Sequence, residues 1–337
     1  MPPPGRGGPI GRLSSAARTV GHAATALDAW VNDYCTGGGA SARDEWCVEF
    51  DSRPPTTGPA SAPVGFADAE AAFARVTERT ARYLEGIDHA SLAAPATTGP
   101  GSHLEGQRVA HLLYRGVAHL FAHAGELSVV SSLLRRADLG LPGPLPQSLH
   151  APIDGGESDG SRPLLVRFVL DAREAFSRVA HAVPVPAQTG AFDRVNAGGW
   201  IVAHIAEQED QYWSVHAQHR EPDAWLAAAQ VRYGDPASRP SYVEALGALA
   251  RATERGTPYL EGLRAEQFGE VLRVSRPGRG VQTAQDLLVL QGTHLYALAG
   301  ELAAIASLAG ASDPELPEPM RHTVGLAGTT RPIEEHA

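Results

Sequence analysis

The sequence contains no lysine; all 28 of its basic residues are arginine. That excludes Schiff-base chemistry and a lysine-anchored pyridoxal cofactor, and it excludes the lysine of a phosphate-binding P-loop. An excess of positive charge is missing too: the formal net charge is −10, which leaves a nucleic-acid partner without an electrostatic footprint. Cysteine is scarce. Cys35 and Cys47 are the only two, and such a pair makes no disulfide framework, so each is expected to be structural or incidental. Long apolar runs are absent as well, each being interrupted by His, Glu, Asp or Arg before it reaches bilayer length. The N-terminal "MPPPGRGGPIGRL" has no apolar stretch behind its positive charge and does not read as a secretory signal. These features lead us to expect a cytoplasmic protein with no membrane partner. Heavy use of Ala, Gly, Pro and Arg without lysine suggests a GC-rich bacterial genome.

What the sequence does contain is an internal repeat. "HLFAHAGEL" (119–127) returns as "HLYALAGEL" (294–302), and the match runs without a gap over 119–144 and 294–319 at an offset of 175. "RVTERTARYLEGI" (75–87) matches "RATERGTPYLEGL" (251–263) at an offset of 176. Two long blocks at nearly one offset indicate a duplication. A fainter match pairs "VGHAATALDAW" (20–30) with "VAHIAEQEDQY" (202–212) at an offset of 182. The organisation this predicts is a first copy over 1–140, a Pro/Gly-rich linker over 141–162, a second copy over 163–320 and a tail over 321–337.

Within each copy the apolar residues recur at helical spacing. Leu112, Leu113, Val117, Leu120, Leu127, Val130 and Leu134 form one such stripe. Strand-like alternation is confined to fragments such as "EVLRV" (270–274). The second copy is expected to hold four helices, near 163–183, 195–217, 240–264 and 281–308; the first offers three, near 10–34, 66–88 and 104–137. The predicted class is all-α, two tandem four-helix bundles, the first lacking its first helix. Another segment, or a second chain in a homo-oligomer, would have to complete that bundle, unless the chain begins late.

His119 and His123, four residues apart on a helix, place both imidazoles on one face. His22 comes from another helix and is repeated as His204. Three histidines from two helices suit a catalytic type of metal site, with three neutral nitrogens and an open position. This pattern resembles the DinB/YfiT-like family of metal-binding four-helix bundles. In that family one ligand histidine sits on the second helix and an H-x3-H-x-G-[EQ] run on the fourth. Here His119, His123, Gly125 and Glu126 carry the run, His22 matches the second-helix ligand, and "GWIVAHIAEQEDQYW" (199–213) is similar to the second helix in the other copy.

The resemblance implies a divalent metal (zinc, nickel or iron) and a small electrophilic substrate. For actinobacterial members it implies mycothiol as cosubstrate, in S-transfer or in isomerisation of the maleylpyruvate type. The alternative is a non-catalytic small-molecule binding or self-protection protein whose metal site is structural or vestigial.

In the second copy Leu298 stands where His123 stands in the first, leaving a degenerate site of His204 and His294, which only Glu207 or Gln291 could complete. Glu126 and Arg115 are the candidate catalytic residues. Glu126 is placed to orient a ligand or act as a base. The persistence of Gly300 and Glu301 beside the broken site nevertheless favours a structural job for Gly-Glu, close helix packing plus a hydrogen bond. Arg115, one turn before His119, is placed to hold a substrate carboxylate, although a solvated helix face is the favoured reading. Asp28, repeated as Asp210, reads equally as a partner to His22 or as a surface charge. Trp46 and Trp225 read as core anchors.

Overall fold

The computed structural model describes residues 13–52, 65–98, 104–134, 162–190, 192, 195–232, 235, 238–272 and 282–311. The expected linker, except residue 162, and the expected tail lie outside the described residues. The protein is mostly helical. Helices α1 (Ala16–Leu27), α2 (Glu45–Ser52), α3 (Phe66–Gly86), α4 (His89–Ala93) and α5 (Val109–Leu133) come from the first copy. Helices α6 (Leu164–Ala182), α7 (Val185–Gln188), α8 (Gly198–Glu209), α9 (Ala224–Ala228), α10 (Tyr242–Gly262) and α11 (Ala284–Leu308) come from the second. The "EVLRV" fragment supplies one strand of a two-residue ladder, β1 (Val271–Leu272) antiparallel to β2 (Gln282–Thr283).

The long helices fall close to where periodicity places them, because their apolar stripes define the faces that must be buried. Their ends are set by local chemistry. Ser15 caps α1 through the Arg18 amide, and Thr283 with Asp286 forms a capping box on α11. α1 packs on α3 and α5; α8 packs on α10 and α11, and α6 lies along α11. α11 is the one helix among the described residues long and apolar enough to cross a membrane, contrary to the expectation that no run approached that length. Its apolar 18-residue window is 89% buried, as in a core helix that meets neighbours on every side.

The most extensive helix pairing joins the two copies, α5 against α11. A Cβ placed on Gly125 would overlap the carbonyl oxygen of Ala297, and one placed on Gly300 would overlap that of Ala122. Only glycine allows the two backbones this close. The repeated Gly of the Gly-Glu pair therefore has the packing role expected of it.

The repeat is also structural at the end of the second helix of each copy. α1 runs on into a π-helical turn (Asp28–Cys35), and α8 into another (Asp210–His216). Asp28 and Asp210 open these turns, and both are buried. Arg79 pairs with Asp28 at 2.8 Å and Arg255 with Asp210 at 2.8 Å. The amides of Asp44 and Asp223 donate to the same two carboxylates, each at 2.8 Å. Arg75 then holds Asp44 at 2.8 Å, and Arg251 holds Asp223 at 2.9 Å. Both arginines hold their partner carboxyls below the usual range. This network accounts for the repeated "R-x-T-E-R": two arginines one turn apart clamp the loop after the π turn onto the helix. Trp46 and Trp225 begin the short helices there and are half-buried, packed against core residues.

Candidate metal centre

His22 stands near the middle of α1, and His119 and His123 stand on successive turns of α5. Packing of α1 on α5 brings the three together: one ring nitrogen of each lies within 4.8 Å of the others. The Nε2 atoms of His119 and His123 are 3.1 Å apart. Two nitrogens bound to one tetrahedral ion at about 2.0–2.1 Å would stand roughly 3.3 Å apart, so this pair is already spaced for one. His22 closes the triangle, its ring centroid 5.0 Å from that of His119 and 5.1 Å from that of His123.

The protonation states agree with ligation. His22 keeps an exposed edge; loss of water on its side facing the packed helices, followed by the neighbouring His123, pushes it down to about 4. Burial, then His123 and His22, holds His119 well below the usual imidazole range. Both are therefore neutral near pH 7, with lone pairs available. Glu126 Oε2 lies 2.6 Å from His123 Nδ1. That contact puts the proton on Nδ1 and turns Nε2 toward the other histidines, as a carboxylate does behind a metal-ligating imidazole. Three imidazoles converging on one point, one with a carboxylate behind it, fit a borderline divalent cation.

Arg115 is not on a solvated face. It is buried, with its guanidinium carbon 5.0 Å from the centre of the Trp30 ring, and Trp30 in turn packs against His119 at 4.9 Å. The helix-face reading fails because the π turn after α1 lays Trp30 against Arg115. Trp30 went unremarked in the sequence, although it lies two turns beyond His22 on the same continuous helix. Asp28 is neither a partner of His22 nor a surface charge: it is fully buried and serves Arg79, Asn32 and the Asp44 amide. Asp51, at the end of α2, is the carboxylate that favours the charged form of His22.

The matching place in the second copy is built differently. His204 and His294 stay near each other, with ring centroids 5.3 Å apart, and Leu298 lies among the buried residues. Both His204 nitrogens are engaged: Nδ1 donates to the Val231 carbonyl at 2.7 Å, and Nε2 accepts from Gln208 at 3.1 Å. Glu207 is paired with Arg232 at 2.6 Å, and Gln291 donates to Glu209 at 3.0 Å. Neither completes a third ligand position, because each is held by a stronger or closer partner. Glu301, the counterpart of Glu126, accepts from Asn196 at 3.2 Å. Among the described residues, the first-copy triad is the only such cluster of metal-ligating side chains.

Neither thiol belongs to the cluster of metal-ligating groups. Burial pushes Cys35 and Cys47 up to about 12, so neither is a thiolate nucleophile at neutral pH. No family model, curated protein or solved structure matches this chain.

Proposed function

We propose that this chain is a metal-dependent enzyme of the DinB-like type, built as two tandem helical bundles with one working site. The observation that carries the reading is the His22, His119 and His123 triad, with Glu126 behind His123. His22, His119 and His123 hold the ion. Such an ion supplies Lewis acidity and lowers the pKa of a thiol or water beside it. Glu126 fixes the His123 tautomer and is a positioning residue. Arg115, held over Trp30 beside His119, places a positive charge near the site and favours an anionic or electron-poor substrate. Thiol S-transfer or thiol-assisted isomerisation of a small electrophile, with mycothiol as the thiol, is the reaction we assign.

A second reading is favoured by the second copy. Its His204 is held by Gln208 and Val231, and Leu298 stands at the place of the third histidine, as expected where a site has been given up for packing. Under that reading the protein binds and sequesters a small molecule, and the triad is structural.

Metal content by plasma mass spectrometry, followed by turnover with thiol and electrophile, tests the proposal. About one metal per chain is expected, lost in His123→Ala and kept in His294→Ala. Absence of metal after reconstitution would remove the basis for the enzyme. Stoichiometric metal without turnover would leave the binding protein.

A further inference from the structure

The second copy has a cleft between α6 and α10. α6 and α10 scarcely touch each other, although α6 lies along α11 and α10 along α8. Between them is a cavity of about 600 Å³, within the ~300–1,000 Å³ range of small-molecule pockets. Phe176, Leu246, Leu249 and Leu295 form its apolar walls. Its floor is an ion pair, Arg173 with Glu209, and both side chains are more than nine-tenths buried. Glu209 Oε1 accepts from Arg173 Nε at 3.0 Å and from Gln291 Nε2 at 3.0 Å.

The first copy fills the same place with hydrocarbon. At the repeat offsets Glu209 corresponds to Leu27, and Gln291 to Gly116. A Cβ on Gly116 would lie 3.6 Å from Leu27 Cδ1, so these two positions face each other in the first copy as their counterparts do in the second. Leucine against glycine is an economical core. A buried carboxylate, guanidinium and amide are not, since hydrocarbon replacements for a buried ion pair are often neutral or stabilising. Packing alone does not account for that polar floor; a cleft that admits a ligand does.

We propose that the α6–α10 cleft binds an amphipathic organic anion, its apolar body between Phe176 and Leu249 and its charged group at Arg178. Glu209 is already neutralised by Arg173. The His181 Nδ1 is used by the Ser177 carbonyl at 2.7 Å, and Glu174 has an interaction of its own. The Ser177 hydroxyl lies 3.4 Å from the same His181 nitrogen. The Arg178 guanidinium and the Thr253 hydroxyl around the opening are donors, which suit an anion. This site is separate from the histidine triad and does not depend on the metal reading.

The test uses the full chain with two fluorescent probes of the same apolar body, 1-anilinonaphthalene-8-sulfonate and its uncharged parent N-phenyl-1-naphthylamine. Saturable binding of the sulfonate at about one per chain is expected. Arg178→Leu, at an exposed position, should weaken the sulfonate about tenfold and leave the neutral parent unchanged. Leu249→Trp, which fills the cleft, should abolish binding of both while metal content stays constant. No saturable binding, an Arg178→Leu variant that binds the sulfonate as the wild type does, or a folded Leu249→Trp variant that still binds it, overturns the proposal. If Leu249→Trp does not fold, the Arg178→Leu result decides.

Discussion

A single carboxylate separates the two copies at the residue scale. Glu126 is bonded to a histidine of the triad, whereas Glu301 is bonded to Asn196. Glu126→Gln is therefore expected to weaken metal affinity about 10–100-fold, as outer partners of metal ligands do. Glu301→Gln should leave it unchanged, and competition with a chromophoric chelator measures both. The thiols give a second expectation. Cys35 and Cys47 titrate near 9.0 in an unfolded chain and are raised to about 12 here. The folded state thus disfavours the thiolates. Their contribution to stability is whole below pH 9.0, declines as pH rises toward about 12, and should appear as a falling urea midpoint over that window. Iodoacetamide at pH 8 should label them slowly in the native protein and rapidly in urea. The triad was legible in the sequence because a histidine pair at helical spacing was backed by a repeat. The burial of Arg115 and Asp28 was not, since a charged residue on an amphipathic helix looks the same whether it meets water or a buried partner.

Individual elements follow the apolar period, and the sequence locates the four long helices of the second copy to within about three residues, while α1 and α5 begin about five or six residues later than expected. The π turns at Asp28–Cys35 and Asp210–His216 were not legible, because one extra residue per turn leaves no mark on so short a pattern. What was legible was the repeated arginine pair, whose purpose only the fold explains. Removing Arg255 leaves the buried Asp210 without its cation, a loss of roughly 3–5 kcal/mol, whereas Asp28 keeps Arg43 at 3.6 Å when Arg79 is removed. Arg255→Ala is expected to lose stability of that order in denaturant titrations, and Arg79→Ala less, because Arg43 remains. Arg75→Ala and Arg251→Ala, at half-exposed pairs, should each lose no more than about 1 kcal/mol. Similar losses from Arg255→Ala and Arg251→Ala would show that burial of Asp210 does not set the energy.

Across the whole molecule, equivalent positions of the repeat have unequal surroundings. Leu84 and Leu260 occupy the same place in the repeat, yet Leu84 is 45% exposed and Leu260 fully buried. Val117 is exposed where its counterpart, Gly292, lies under the Phe168 ring of α6. The second difference marks the face of α5 that a helix corresponding to α6 would cover. Leu260→Ala should cost about 2–5 kcal/mol, and Leu84→Ala less than about 1 kcal/mol, both read from urea unfolding. A large loss at Leu84 would mean that another surface covers it in solution. The pairing of α5 with α11 was the least legible feature, since small residues in a helix advertise close packing without naming the partner. Its geometry has a further consequence. Ala122 meets Gly300 while Gly125 meets Ala297, so each copy offers the other the same patch it receives. That exchange is the mark of an isologous contact between like subunits. The chain carries, within one polypeptide, the two-fold symmetry of a homodimer interface. In a true homodimer any substitution falls on both subunits at once. Within one polypeptide the two sides differ, His123 on one and Leu298 on the other, so that two different interiors stand behind a single shared interface.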